Sequence, residues 1–253
     1  MAIIASFANQ KGGVGKTTTA VNVSAAMAAD GHHVLLVDLD SQANATSALG
    51  MSVNGGPSVH EVLVRSMPAS EVIQRTQMPN LDLLPASPSL TAAEIELAPQ
   101  IGREFKLHRS FQEIASRYEF IAIDCPPALN LLTVNAFSAS QYVFVPVQCE
   151  YLALEGLAEL LSSIELVRDN LNPQLKLGGI IMTMYDSRTS LAREVVAEVR
   201  SHFLMTFNTV IPRHVRLAEA PSHGKTILDY APGSSAAKAY TDVTQEILAR
   251  LAA

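Results

Sequence analysis

Short apolar runs rich in β-branched residues recur along the chain at Ile3–Phe7, Val34–Val37, Leu81–Leu84, Phe120–Ile123, Tyr142–Val147 and Leu177–Met182. Runs of this length and composition predict strands buried on both faces. Between them, Thr17–Ala29, Phe105–Arg117, Leu154–Asn170 and Leu191–Phe203 space their apolar residues as helices do. Val210–Ile211 adds one more short strand. This alternation predicts an α/β fold, a doubly wound and mainly parallel sheet with helices on both faces. Met51–Ser58, rich in Gly, Ser, Asn and Pro, reads as a loop. A last helix over about Ala236–Leu251 aligns Ala236, Ala239, Tyr240, Val243, Ile247 and Leu251 in one stripe, which predicts packing on the sheet.

Residues 1–253 carry no repeat, low-complexity tract or long linker, so one domain is expected. Hydrophobic residues make up 48% and charged residues 17%, enough apolar surface for a core. Ile3–Phe7 is too short to span a bilayer and lacks the features of a signal peptide, so a cytoplasmic protein is expected. Cys125 and Cys149 stand far apart without metal-ligand spacing and are expected to be buried free thiols. A formal net charge of −6 argues against a surface coated in positive charge for nucleic acid, so any DNA contact requires a local patch.

Candidate chemistry begins directly after the first strand, at Asn9-Gln10-Lys11-Gly12-Gly13-Val14-Gly15-Lys16-Thr17-Thr18-Thr19. Strand, glycine-rich loop and helix are the setting in which backbone N–H groups close around phosphates at a positive helix end. Gly12, Gly13, Val14, Gly15 and Thr18 belong to that phosphate loop. Lys16 is placed to neutralise β and γ phosphates, and the Thr17 hydroxyl to ligate Mg²⁺, so ATP and Mg²⁺ are the implied cofactors.

Acidic residues follow two of the apolar runs, as Asp38-Leu39-Asp40 and as Asp124-Cys125-Pro126-Pro127. In a doubly wound sheet such strand ends face the ligand. Asp124 reads as the Walker B acid that holds Mg²⁺ directly or through water. Asp38 stands as a supporting magnesium partner, and both Asp38 and Asp40 also suit the cap of a following helix. His202, His214 and His223 fit no ligand spacing and read as surface or packing histidines.

The loop departs from the usual P-loop: Gln10 replaces its first glycine, and Lys11 adds a second lysine. In this it resembles the deviant Walker A signature of the MinD/ParA superfamily. Likeness to ParA/Soj partition ATPases extends over nearly the whole chain, through Asp124–Pro127, Pro146–Tyr151, Ala153–Leu157 and above all Ile211–Lys225. The resemblance implies an ATPase that forms an ATP-dependent homodimer, with Lys11 reaching the partner's phosphates. It implies that Asp40 orients the attacking water and that Pro212, Arg213 and His214 lie against the base. It further implies a nucleoid-associated protein that binds double-stranded DNA without sequence preference, through Arg188 and Arg216, and is stimulated by a ParB-like partner. Ser41 stands where the family usually has proline, and His214 where asparagine is common.

The chain begins almost at the P-loop strand, so an operator-binding helix-turn-helix extension is not expected. Between Met184 and Lys225, six basic residues face four acids, which makes a weak patch. The alternative, a MinD-like membrane-associated cell-division ATPase, requires a basic amphipathic C-terminal helix, whereas Gln245–Ala253 carries one arginine and one glutamate. A redox relative with a shared iron–sulfur cluster is disfavoured by the positions of Cys125 and Cys149.

Overall fold

A computed structural model describes residues 2–150 and 153–252. Tyr151, which closes one of the family-like stretches, lies outside the described residues. Eight strands form one sheet: β1 (Ile3–Phe7), β2 (Val34–Asp38), β3 (Gln74–Arg75), β4 (Leu81–Leu84), β5 (Phe120–Asp124), β6 (Tyr142–Gln148), β7 (Lys176–Tyr185) and β8 (Thr206–Pro212). Their spatial order is β3-β4-β2-β5-β1-β6-β7-β8, parallel throughout except for the β3–β4 pair. The chain runs outward from β1 to β4, returns through β5, and then continues on the other side, so the order reverses beside β1. That reversal leaves a crevice at the carboxyl ends of the strands.

Side chains alternate across the sheet with period 2 and divide the core into two layers. Leu35, Val37, Ile121, Ile123, Val143 and Val145 enter one layer, and Val34, Leu36, Phe120, Ala122 and Phe144 the other. The helices Lys16–Ala29 and Ser235–Leu251 close the second layer, Tyr240 and Val243 being fully buried there. The stripe expected on the last helix is thus occupied by the sheet, and that face is not free for a membrane. Arg250 secures the helix end by donating to the Gly178 and Met205 carbonyl oxygens at 2.9 and 2.8 Å. No helix among the described residues is long and apolar enough to cross a membrane.

Two expectations change in detail, and one strand was not expected. Phe105–Arg117 is not one helix: an α-helix over Lys106–Phe111 is flanked by 3₁₀ turns at Arg103–Phe105 and Ala115–Arg117. Phe111 and Ile114, both buried and three residues apart, stack as a 3₁₀ turn allows, and the chain then extends at Tyr118. Val210–Ile211 grows into the seven-residue β8. The two-residue β3, carrying Gln74 and Arg75, has no apolar pattern by which to be recognised. Proline inside β6 is tolerated because β6 outlasts β1: the Pro146 carbonyl oxygen, on the side β1 has vacated, accepts from Asn9 Nδ2 at 2.8 Å.

Candidate functional site

Strand register assembles the site. Asp124 at the end of β5 lies level with Phe7 of β1 on one side and Asp38 of β2 on the other. The glycine-rich loop leaves β1 directly above this level. Gly13 and Gly15 have φ of 76° and 86°, a region open to glycine at little cost, and Gly15 leads into the helix Lys16–Ala29, whose first turn holds no acid. The N-terminal positive end of that helix therefore faces the loop uncompensated.

Two polar residues that sequence reasoning passed over brace the loop. Asn9 spans from Pro146 to the Lys11 amide, which donates to Asn9 Oδ1 at 3.0 Å. The Thr183 hydroxyl on β7 donates to the Val14 carbonyl oxygen at 2.8 Å. Each is a polar residue within or just after a buried run, and that is the signal that marks them.

Lys16 is buried and reaches back over the loop, its Nζ donating to the Lys11 carbonyl oxygen at 3.2 Å. Burial pulls its pKa down, against the attraction of Asp124, Cys125 and Asp40. Thr17 is half-buried on the first turn, beside Asp124. Lys11 points the other way: it is exposed, and its Nζ lies 3.3 Å from Glu150 Oε2. Gly12 and Gly13 are exposed beside it, and neither would bring a Cβ within 4 Å of another heavy atom.

The two buried carboxylates differ sharply. Asp38 is saturated: Oδ2 accepts from the Thr46 amide at 2.8 Å and the Thr46 hydroxyl at 2.7 Å, and Oδ1 from the Asp40 amide at 3.2 Å. Asp124 is also fully buried, yet neither of its oxygens has a hydrogen-bond partner among the described residues. Burial and then repulsion from Asp38 raise the Asp124 pKa well above the usual range, opposed by the Thr17 hydroxyl, which lies nearby without meeting hydrogen-bond geometry, and by Lys16. Burial likewise pushes Asp38 up to about 6, despite the Thr46 donors. A buried carboxylate left without donors is costly and requires a reason. Neither Asp38 nor Asp40 caps the short helix Asn44–Ala48, whose N-cap is Ala43. Asp40 is half-buried and accepts from the Gln42 amide at 3.0 Å through Oδ1.

Raised carboxylate pKa values mean that the folded chain binds more protons than the unfolded chain, for Asp38 between about 4 and 6 and for Asp124 beyond the usual carboxylate range, so they cost stability as the pH rises. Asp124→Asn removes the more strongly raised of the two carboxyls and is expected to flatten this dependence. Between pH 7 and pH 5 the wild type should gain on the order of 1 kcal/mol relative to the variant. Thermal denaturation of both proteins across that range measures it, and the histidine contributions cancel in the difference. Parallel pH profiles would contradict the raised Asp124 pKa.

A cavity of about 400 Å³ opens beside the loop and is lined by Gly15, Thr18, Thr183, Pro212, Arg213, His214 and Tyr240, among others. Pro212, Arg213 and His214, nearly two hundred positions from Thr18 in sequence, are thereby brought to its side. His214 caps the helix Val215–Glu219, its Nδ1 accepting from the Arg216 amide at 3.2 Å. The histidine that replaces asparagine thus performs a capping role, and that ring nitrogen is engaged. Thr183, Met184 and Tyr240 line the same cavity and were not legible as site residues.

Residues 1–177 match a family described as an AAA domain. The sporulation initiation inhibitor protein Soj of Bacillus subtilis is 49% identical over 98% of this chain and 99% of its own. The chromosome-partitioning ATPase Soj of Thermus thermophilus is 49% identical over 96% and 94%. The chromosome partitioning protein ParA of Myxococcus xanthus is 46% identical over 96% and 86%. The chain belongs to the ParA/Soj family of chromosome-partitioning P-loop ATPases. Among solved structures, cobyrinic acid a,c-diamide synthase of Mycobacterium smegmatis, with an ATP analogue and magnesium bound, superposes with a TM-score of 0.88 at 36% identity, over 100% of this chain and 97% of that one. A Borrelia burgdorferi plasmid partition protein, at 24% identity and a TM-score of 0.83, shares the fold.

In this ParA/Soj-family chain the two arginines expected at DNA carry their own acids. Arg188 is 84% exposed, and its guanidinium lies 2.9 and 2.7 Å from the Asp186 oxygens, holding that carboxyl down at about 2. Arg216 contacts Glu219 at 2.9 Å and lies 5.8 Å from the centre of the Tyr230 ring. Both thiols are buried, and burial pushes Cys149 up to about 11 and Cys125 higher, so neither is a ready ligand or nucleophile. No cluster of three metal-ligating His, Cys, Asp or Glu occurs among the described residues.

Proposed function

We propose that the chain is an ATP-driven partition switch: with ATP and Mg²⁺ it forms a homodimer that holds double-stranded DNA without sequence preference, and hydrolysis, stimulated by a ParB-like partner, releases the DNA. The observation that carries the nucleotide half of this reading is the orphaned carboxylate of Asp124, directly below the N-terminal turn of the phosphate loop. A hydrated cation there would give both oxygens the donors they lack, and its charge would offset their burial. Mg²⁺ at this place would supply charge neutralisation for the phosphates, and the Thr17 hydroxyl would be one of its ligands. Asp124 would hold it, directly or through water. Asp38, already committed to Thr46, contributes charge and fixes the segment that carries Asp40.

The remaining groups divide the work of phosphoryl transfer, which is mainly positioning and charge neutralisation. Lys16 and the amides of Gly12 to Thr18 hold the β and γ phosphates. Asp40 keeps one oxygen for an attacking water, since its other one accepts from Gln42. Lys11, exposed and held among the described residues by one surface ion pair worth a few tenths of a kcal/mol to about 1 kcal/mol, is free to swing to a partner's phosphates. The cavity at Pro212–His214 takes the base.

DNA retention tests the second half. Arg188→Glu or Arg216→Glu is expected to abolish ATP-dependent retention while leaving ATP binding and dimerisation intact, because reversal adds repulsion and two-fold symmetry applies it twice. Asp186 and Glu219 do not forbid the contact, because exposed ion pairs are weak enough for a phosphate to displace. For the wild type, log K should fall by about 0.9 per phosphate neutralised as log salt rises. Four contacts then cost roughly a hundredfold over a fourfold rise in salt. Equal retention by the Arg216→Glu dimer, or salt-insensitive binding by the wild type, would sink this patch.

A further inference from the structure

The opposite end of the sheet carries a second polar cavity, of about 390 Å³, that the nucleotide site does not use. It lies where β4 begins and where the chain enters β2 and β5, and its polar walls are Arg75, Arg117, His33, Asp82 and Tyr118. A volume of this size suits a small ligand.

Its charge is arranged unusually. Arg75 on β3 stands directly opposite Asp82 on β4 in register, a position that ordinarily makes a cross-strand ion pair. The pair does not form. Tyr118 takes the carboxylate instead, its hydroxyl donating to Asp82 Oδ2 at 2.8 Å. Burial and the Asp82 charge push the phenol up beyond the ordinary alkaline range, so it remains a donor. The other acid nearby, Glu119, accepts from the His32 ring at 2.8 Å and the His33 amide at 3.2 Å.

Arg117 has its guanidinium carbon 5.7 Å from the Tyr118 ring centre, a contact that orients the charge without neutralising it. Neither Arg75 nor Arg117 has an acid partner among the described residues, whereas Arg103, Arg168, Arg188 and Arg216 each pair with an acid one to three positions away. In a chain of net charge −6, the two stand together on one concave wall whose carboxylate, Asp82, is engaged by Tyr118.

We propose that this cavity binds a small phosphate-bearing ligand between Arg75 and Arg117, at a site separate from the phosphate loop. Guanidinium groups match phosphate oxygens in bidentate geometry, and two of them suit a doubly charged group better than a single carboxylate. Tyr118 serves as a positioning residue that keeps Asp82 from competing with the anion.

The probe is inorganic pyrophosphate, titrated onto the wild type and onto Lys16→Ala, with hydrogen exchange of residues 74–82 and 117–119 as the readout. Saturable protection of these segments is expected in both proteins. Arg75→Gln with Arg117→Gln, both exposed side chains, should lower the affinity at least tenfold. Tyr118→Phe should weaken it severalfold without altering any charge, by freeing Asp82 toward Arg75, and Asp82→Asn should strengthen it. Protection confined to residues 9–18, or an unchanged affinity in the double arginine variant, would overturn the proposal. So would protection by a short DNA duplex but not by pyrophosphate, which would assign the two arginines to nucleic acid.

Discussion

Lys16→Ala is expected to lower ATP affinity by roughly two to three orders of magnitude, or about 3–4 kcal/mol. Lys16 is buried, and its ammonium faces the Lys11 carbonyl oxygen and the charges of Asp124 and Asp40. Burial has already disfavoured the charged form, so an incoming triphosphate finds a cation that has lost much of its water and gains interaction accordingly. Alanine removes that counter-charge and leaves phosphate, Asp124 and Asp38 facing one another. A titration with a fluorescent ATP analogue measures the change, with thermal denaturation as a control for folding. Unchanged affinity would contradict the phosphate-loop role. Charge alone is not the whole of it: Lys16→Arg keeps the cation but adds bulk at a buried position, and should recover little.

How much of this was legible in the sequence depends on whether the determinant was local. β2 and β5 announced themselves because both faces of each are buried, which produces an uninterrupted apolar run ending in an acid. β3 did not, since its two polar residues form a strand only because β4 offers an edge. The helix Val59–Arg65 was not predicted, although its start, the Ser58-x-x-Glu61 capping box, is a local feature. The phosphate loop was legible for the same local reason: strand, glycines and helix are adjacent in the chain.

The distinction between the two buried carboxylates was not legible. Asp38 and Asp124 follow equally apolar strands, and what separates them is Thr46, eight positions beyond Asp38, whose amide and hydroxyl converge on one of them only. The cavity at Pro212–His214 was foreseeable from family likeness, but not the placement of Tyr240 or Thr183 in its wall, because that depends on how β7 and the last helix pack. Basic residues counted along the chain overstated the free charge near Arg188 and Arg216, since each folds back onto a neighbouring acid.

Gly12→Val is expected to bind ATP with near wild-type affinity and to remain monomeric. Within one chain the substitution meets nothing: Gly12 is exposed, its backbone lies outside the left-handed region, and a Cβ there has no heavy atom within 4 Å. Valine should therefore be accommodated with little intramolecular strain, unlike a change at Gly13 or Gly15, where positive φ penalises any side chain. An effect on association must then arise between chains. Lys11, the neighbouring residue, is exposed, and its surface ion pair with Glu150 is weak enough to release. If Lys11 crosses to the partner's phosphates, the two loops approach closely at Gly12, and a β-branched side chain holds them apart. Light scattering with saturating ATP, set beside a nucleotide titration of the same variant, separates the two effects. Gly12→Ala, with one methyl, should dimerise partially, so that the loss scales with added volume. A Gly12→Val protein that forms a stable ATP dimer would show that the loops do not meet face to face, and Lys11 would lose its role in trans.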